Sequence, residues 1–102
     1  MIKKEILPIG SVVLLKNSER KVMVMGLLQG NPAHLDKVYD YCGCLYPEGY
    51  MDANNIFLFD EEQIEEICFK GFDAEEQAEF RNRVTEALPQ VYAQYEQPQN
   101  NT

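Results

Sequence analysis

Runs of apolar residues broken by short polar clusters set the layout of the chain. Ser11-Val-Val-Leu-Leu-Lys16 is β-branched and apolar, which predicts a strand. Asn17-Ser-Glu-Arg20 is a polar turn of hairpin length, and Lys21-Val-Met-Val-Met-Gly-Leu-Leu-Gln29 is the second strand of the hairpin. Alternation along that second strand puts Val22, Val24 and Leu28 on one face, with Met23, Met25 and Leu27 on the other. Both faces are apolar, so each needs a cover. The expectation is that one face fills a small barrel and a helix packs on the other. Met23 and Met25 are also suited to an adaptable partner surface, because unbranched thioethers repack easily.

Residues 1–7 predict an arm or edge strand, and Pro8-Ile-Gly10 punctuates the chain after it. Residues 30–36 predict a loop holding the single histidine, His34. Lys37 to Tyr46 predicts a third strand, which breaks at Pro47 into a Pro-Glu-Gly turn and re-emerges at Tyr50. A turn-rich piece, 51–55, leads to a short strand at Ile56-Phe-Leu-Phe59. Asp60 and Gln63 stand three apart as an N-cap and its capping-box partner. Ile64 and Ile67 have helical spacing, yet Ile67-Cys-Phe69 reads as a strand. The reading adopted is one helical turn near 60–63, then a last strand at 64–69. Asp73 is placed to cap a helix over 74–88, with Gln77, Phe80, Val84 and Leu88 on one stripe. Pro89 is expected to end or kink that helix. Val91, Tyr92 and Tyr95 are spaced to continue it for a turn or two, and residues 97–102 predict a polar tail.

The resulting fold class is α+β: a small bent antiparallel sheet of four or five strands, an SH3-like partial barrel, with the C-terminal helix packed against it. A length of 102 residues and 45% hydrophobic content fit one domain, spanning 1–96.

Charge changes the picture of partners. The net charge is −8, and all of it falls in residues 60–102; residues 1–59 are neutral. An acidic half repels phosphate backbones, which argues against nucleic acid. Membrane insertion is not expected either, since apolar runs stay short of a span. Without a signal-peptide pattern, and with an odd number of cysteines, the expected location is the cytoplasm, with reduced thiols.

Candidate chemistry is sparse. Cys42 and Cys44 share a strand face, but a Cys-Gly-Cys spacing without an obvious fourth ligand suits core packing better than a metal. Nothing ties His34 to a cysteine for nucleophilic catalysis, and paired carboxylates such as Asp40 and Asp52 are uninformative in so acidic a chain. The expectation is therefore no enzyme, no metal and no cofactor. Tyr39, Tyr41, Tyr46 and Tyr50 crowd one stretch, where tyrosines supply contact area with a polar handle. With Met23 and Met25, they are the candidate protein-binding residues. Strand pairing with a partner is a second mode if the first or third strand lies at an edge.

Taken in order, Leu7-Pro-Ile-Gly-Ser-Val-Val-Leu-Leu-Lys16, Lys21-Val-Met-Val-Met-Gly26, Val38-Tyr-Asp-Tyr41, Tyr46-Pro-Glu-Gly-Tyr50 and Phe69-Lys-Gly-Phe72 resemble the small proteins of the domain of unknown function 4176 family, over about residues 6–88. The resemblance implies a cytoplasmic accessory protein of Gram-positive type VII secretion, an adaptor or targeting chaperone. Its implied partners are the helical N-terminal region of an LXG-domain toxin and small helical secretion proteins. It brings no catalytic residues. The competing expectations are an immunity protein that masks a toxin domain, a general protein-interaction module and a small thiol-dependent enzyme.

Overall fold

Asn17 takes the left-handed conformation (φ 63°), as an Asn can at little cost, and so lets the chain reverse between two β-branched runs. The computed structural model describes residues 2, 5–31 and 34–95. On either side of that turn lie β1 (Val12–Leu15) and β2 (Lys21–Asn31). They are followed by β3 (His34–Tyr46), β4 (Ile56–Phe59), β5 (Ile64–Phe69) and the helix α1 (Glu75–Tyr95). The strands form one open antiparallel sheet in the order β4-β3-β2-β1-β5, so four strands meander and the fifth returns to β1. The α+β expectation holds. β1 and β3 are interior strands, so the edges open to strand pairing are β4 and β5 instead.

Most of the expected 30–36 loop is strand, since β2 runs to Asn31 and β3 begins at His34; Pro32 and Ala33 lie outside the described residues. The 97–102 tail also lies outside them. β3 ends at a cis Tyr46–Pro47 bond, and Gly49 (φ 81°) donates its N–H to the Leu45 carbonyl at 2.7 Å. The Asp60–Gln63 capping box is present around a 3-10 turn, and residues 64–69 are strand.

Two departures share one cause. Val24 pairs with Gly43 and Gly26 with Cys42, which leaves Met25 as the extra residue of a bulge. Beyond a bulge, the alternation of faces is inverted. Leu27, not Leu28, therefore packs against the buried cluster containing Val22 and Val24, and Leu28 sits at φ 53°. In β5 the partners Leu15↔Ile64, Leu14↔Glu66 and Val13↔Ile67 make Glu65 an extra residue. Ile64 and Ile67 thus share a face although three apart. Their helix-like spacing is the signature of a bulged strand.

The core lies on the face of Val13, Val22 and Val24, with Tyr41 and Phe59 stacked at 5.6 Å between centroids. Its cover is shared. The amino-terminal arm is described without strand structure, but it contributes Ile2, Ile6 and Leu7, and α1 contributes Val84 and Leu88. Phe80 was expected on the helix stripe but is exposed. Asp73 lies before the helical start, and its carboxylate meets the Arg81 guanidinium at 3.0 Å; the Ala74 carbonyl accepts the first helical N–H groups. The helix also continues through Pro89, a residue expected to end or kink it. One turn beyond that proline, Tyr92 is held by the buried carboxylate of Asp40.

Candidate protein-binding surface

Register across the sheet aligns five side-chain positions on the face opposite the core: Phe69, Val12, Met23, Cys44 and Ile56, one from each strand. No charged residue interrupts the row. At its β5 end the face opens into a hollow of about 490 Å³, lined by Val12, Lys21, Met23, Tyr46, Cys68 and Phe69. Phe69 is 61% exposed and Tyr46 46%, both high for large apolar or aromatic side chains. Scattered exposed apolar residues are ordinary on a protein surface, but a contiguous group around a concavity marks a place of contact.

Of the six residues expected to bind protein, the structure brings Met23 and Tyr46 to this hollow. Met25 is half-buried at the bulge, and Tyr39 is half-buried with the Lys37 ammonium 4.7 Å from its ring centre. Tyr50 is exposed beyond the Pro47 turn and does not line the hollow. Tyr41 is withdrawn from any contact surface. It is 1% exposed, stacks on Phe59 and has its hydroxyl bonded to the Leu7 amide at 3.1 Å. Burial pushes its phenol up to about 12.

Three contributors to the surface escaped sequence reasoning: Val12, Phe69 and the neighbouring Phe72, which is 84% exposed. A usable sign was present in Phe69-Lys-Gly-Phe72, two phenylalanines bracketing a glycine. Gly71 is there because the chain passes too close for a side chain. A Cβ on it would lie 2.5 Å from the Ile9 carbonyl oxygen. Its N–H donates to Ser11 Oγ at 2.9 Å, and Ser11 Oγ donates to the Pro8 carbonyl at 2.7 Å. The connection from β5 to α1 is thus pinned to residues 8–11, and the exposed phenylalanines flank a fixed point.

Of the titratable groups singled out in the sequence, Cys42, Cys44, Asp40 and Asp52 are engaged structurally. Cys42 and Cys44 are buried, and burial raises the Cys42 thiol pKa, with Cys44 beside it adding to the shift. Cys68 is exposed. Among the described residues, no three or more His, Cys, Asp or Glu side chains cluster to hold a metal ion. Asp52 caps the short helical turn Ala53–Asn55, accepting from the Asn54 amide at 2.9 Å. Asp40 is fully buried, where it accepts from the Tyr92 hydroxyl and from the Glu61 amide at 2.9 Å. The same hydroxyl accepts the Ile2 N–H at 3.0 Å, and the Asp40 N–H donates to the Asp60 carboxylate at 3.1 Å. Burial, then the bond to Asp40, raises the Tyr92 pKa. This knot ties arm, β3, the β4–β5 turn and α1 together. Its groups face one another, which is how a structural pin looks.

No helix among the described residues is long and apolar enough to cross a membrane. No curated protein and no solved structure matches the chain. Residues 6–80, which span all five strands and the start of α1, match the family described as Domain of unknown function (DUF4176). The chain belongs to the DUF4176 family.

Proposed function

We propose that this protein is a non-enzymatic adaptor, or targeting chaperone, that works in the cytoplasm for type VII secretion. It binds the helical N-terminal region of an LXG-domain toxin together with small helical partners. The observation in favour is the hollow on the outer sheet face, where Met23, Tyr46 and Phe69 leave apolar surface open to solvent. A groove of that kind suits the apolar stripe of an amphipathic helix. Such a partner would cover area that the fold itself does not use.

Co-expression with the N-terminal region of a neighbouring LXG toxin is expected to give a complex that co-purifies. Met23→Glu is expected to dissociate it, since a charge would be forced into the apolar contact. Separate elution of the components overturns the reading. Capture by the toxin's C-terminal domain replaces it with an immunity role.

A further inference from the structure

Of the described residues that line the outer hollow, Lys21 is the charged one, and it is exposed. Register places Tyr46 of β3 directly across from it on one side and Leu14 of β1 on the other. Neither can meet a cation with a carboxylate. Glu48, two residues past Tyr46, is already engaged by Arg20, whose guanidinium reaches both carboxylate oxygens at 2.6 and 2.5 Å.

Other cations of the domain have found partners. Lys37 rests on Asp60 at 3.0 Å, Lys70 on Glu5 at 3.3 Å and Arg81 on Asp73 at 3.0 Å. Lys21 makes no ion pair among the described residues, although the chain carries a net charge of −8. Lys16 and Arg83 are unpaired as well, but neither lines the hollow. A lysine stem lies along apolar surface at little cost while its ammonium stays in water. A purely apolar partner seated here would strip water from that ammonium and return nothing for it.

Given the helix-binding role proposed above, on which this step rests, we infer that Lys21 selects the occupant of the hollow: an amphipathic helix with Asp or Glu about one turn from the apolar residue that seats against Met23. The spacing follows from both partners. Met23 and Lys21 are two apart on β2, so their side chains leave the same face about 7 Å from each other. On a helix, residues three or four apart are about 5–6 Å from each other. A carboxylate at that offset meets the ammonium while its apolar neighbour enters the hollow. The pair forms where both ions keep part of their water, so it chooses between partners more than it holds them. A basic helix, the expected match for so acidic a chain, is turned away at this point.

The probes are synthetic helical peptides of about 18 residues, long enough to hold a helix in water. They share one apolar stripe and differ at a single flank position one turn from its centre, which is Glu, Gln or Lys. Binding to the full chain is read by titration, and backbone chemical shifts locate the contact. The Glu peptide is expected to bind tightest and the Lys peptide about three- to tenfold more weakly, a gap that narrows as salt rises. Lys21→Gln is expected to remove the preference for Glu, and Lys21→Glu to reverse the order. Circular dichroism is expected to show the same fold in both, since only an exposed side chain changes. Equal binding of the three peptides, with shifts at Met23 and Phe69, overturns the selectivity and leaves the helix-binding hollow standing. Tighter binding of the Lys peptide does the same. Shifts that map elsewhere, no binding by any peptide, or broadening at the hollow that grows with protein concentration alone overturn both the selectivity and the hollow's role.

Discussion

The Asp40 knot and the β5 edge meet the same physical demand in opposite ways. A carboxylate taken out of water and a phenylalanine left in it are both unfavourable unless something compensates. At Asp40 the compensation is internal: the Tyr92 hydroxyl and the Glu61 amide turn inward to the charge. At β5 and just after it, Ile67, Phe69 and Phe72 have no such compensation and stay open to solvent. The difference separates a part of the domain that holds it together from a part that the fold leaves exposed.

The sharpest way to break this contrast is to weaken the interior and see whether the edge matters as much. Phe59→Ala, at a fully buried ring stacked on Tyr41, is expected to destabilise the fold by about 3–5 kcal/mol in denaturant melts, through lost transfer energy and a residual cavity. Tyr92→Phe removes one hydroxyl from two hydrogen bonds, one with the Ile2 amide and one with the Asp40 carboxylate. A loss of about 1–3 kcal/mol is expected, and a negligible change would show that the knot is ornamental.

The tyrosines also give a pH signature. Tyr41 titrates near 12 in the folded chain against 10.0 for a free phenol, and Tyr92 is raised as well. The folded state therefore holds protons that the unfolded state releases. This stabilisation is full below pH 10 and is lost as pH climbs through 12. Absorbance titration is expected to show two late phenols, and chemical melts a matching alkaline decline.

At the edge the expected stability effects are smallest. Phe72→Ser is expected to change stability by no more than about 0.5 kcal/mol, as for other exposed positions. A larger loss would mean that Phe72 is packed within the domain and not offered to a partner. Thiol labelling sharpens the same contrast at no energetic cost. Cys68 is expected to react in the native protein, and Cys42 and Cys44 only after unfolding.

Features legible in the sequence were those written locally. The hairpin, the Asp60–Gln63 box and the last strand follow from β-branching, turn residues and a three-residue spacing. The bulges at Met25 and Glu65 were invisible because an extra residue is defined by its partner strand. Nothing in Lys21–Gln29 shows that Gly43 and Cys42 sit opposite Val24 and Gly26. Local rules left open whether the helix stops at Pro89 or runs on to Tyr95, as it does. They count the missing N–H but cannot see Asp40, far away in sequence, waiting for Tyr92. For the surface, the tyrosine-rich stretch drew the eye, yet Tyr41 is needed inside. Phe69 became important only once β5 was known to be an edge.

The Ile2–Tyr92 bond has a consequence for how the protein is made. The Ile2 amide needs a hydroxyl that lies 90 residues later in the chain, so it has no final seat while the strands are forming. Until α1 is released, Ile2, Ile6 and Leu7 lack part of their cover. The core is thus closed only when two segments far apart in sequence meet, and a chain still lacking α1 leaves that apolar surface open.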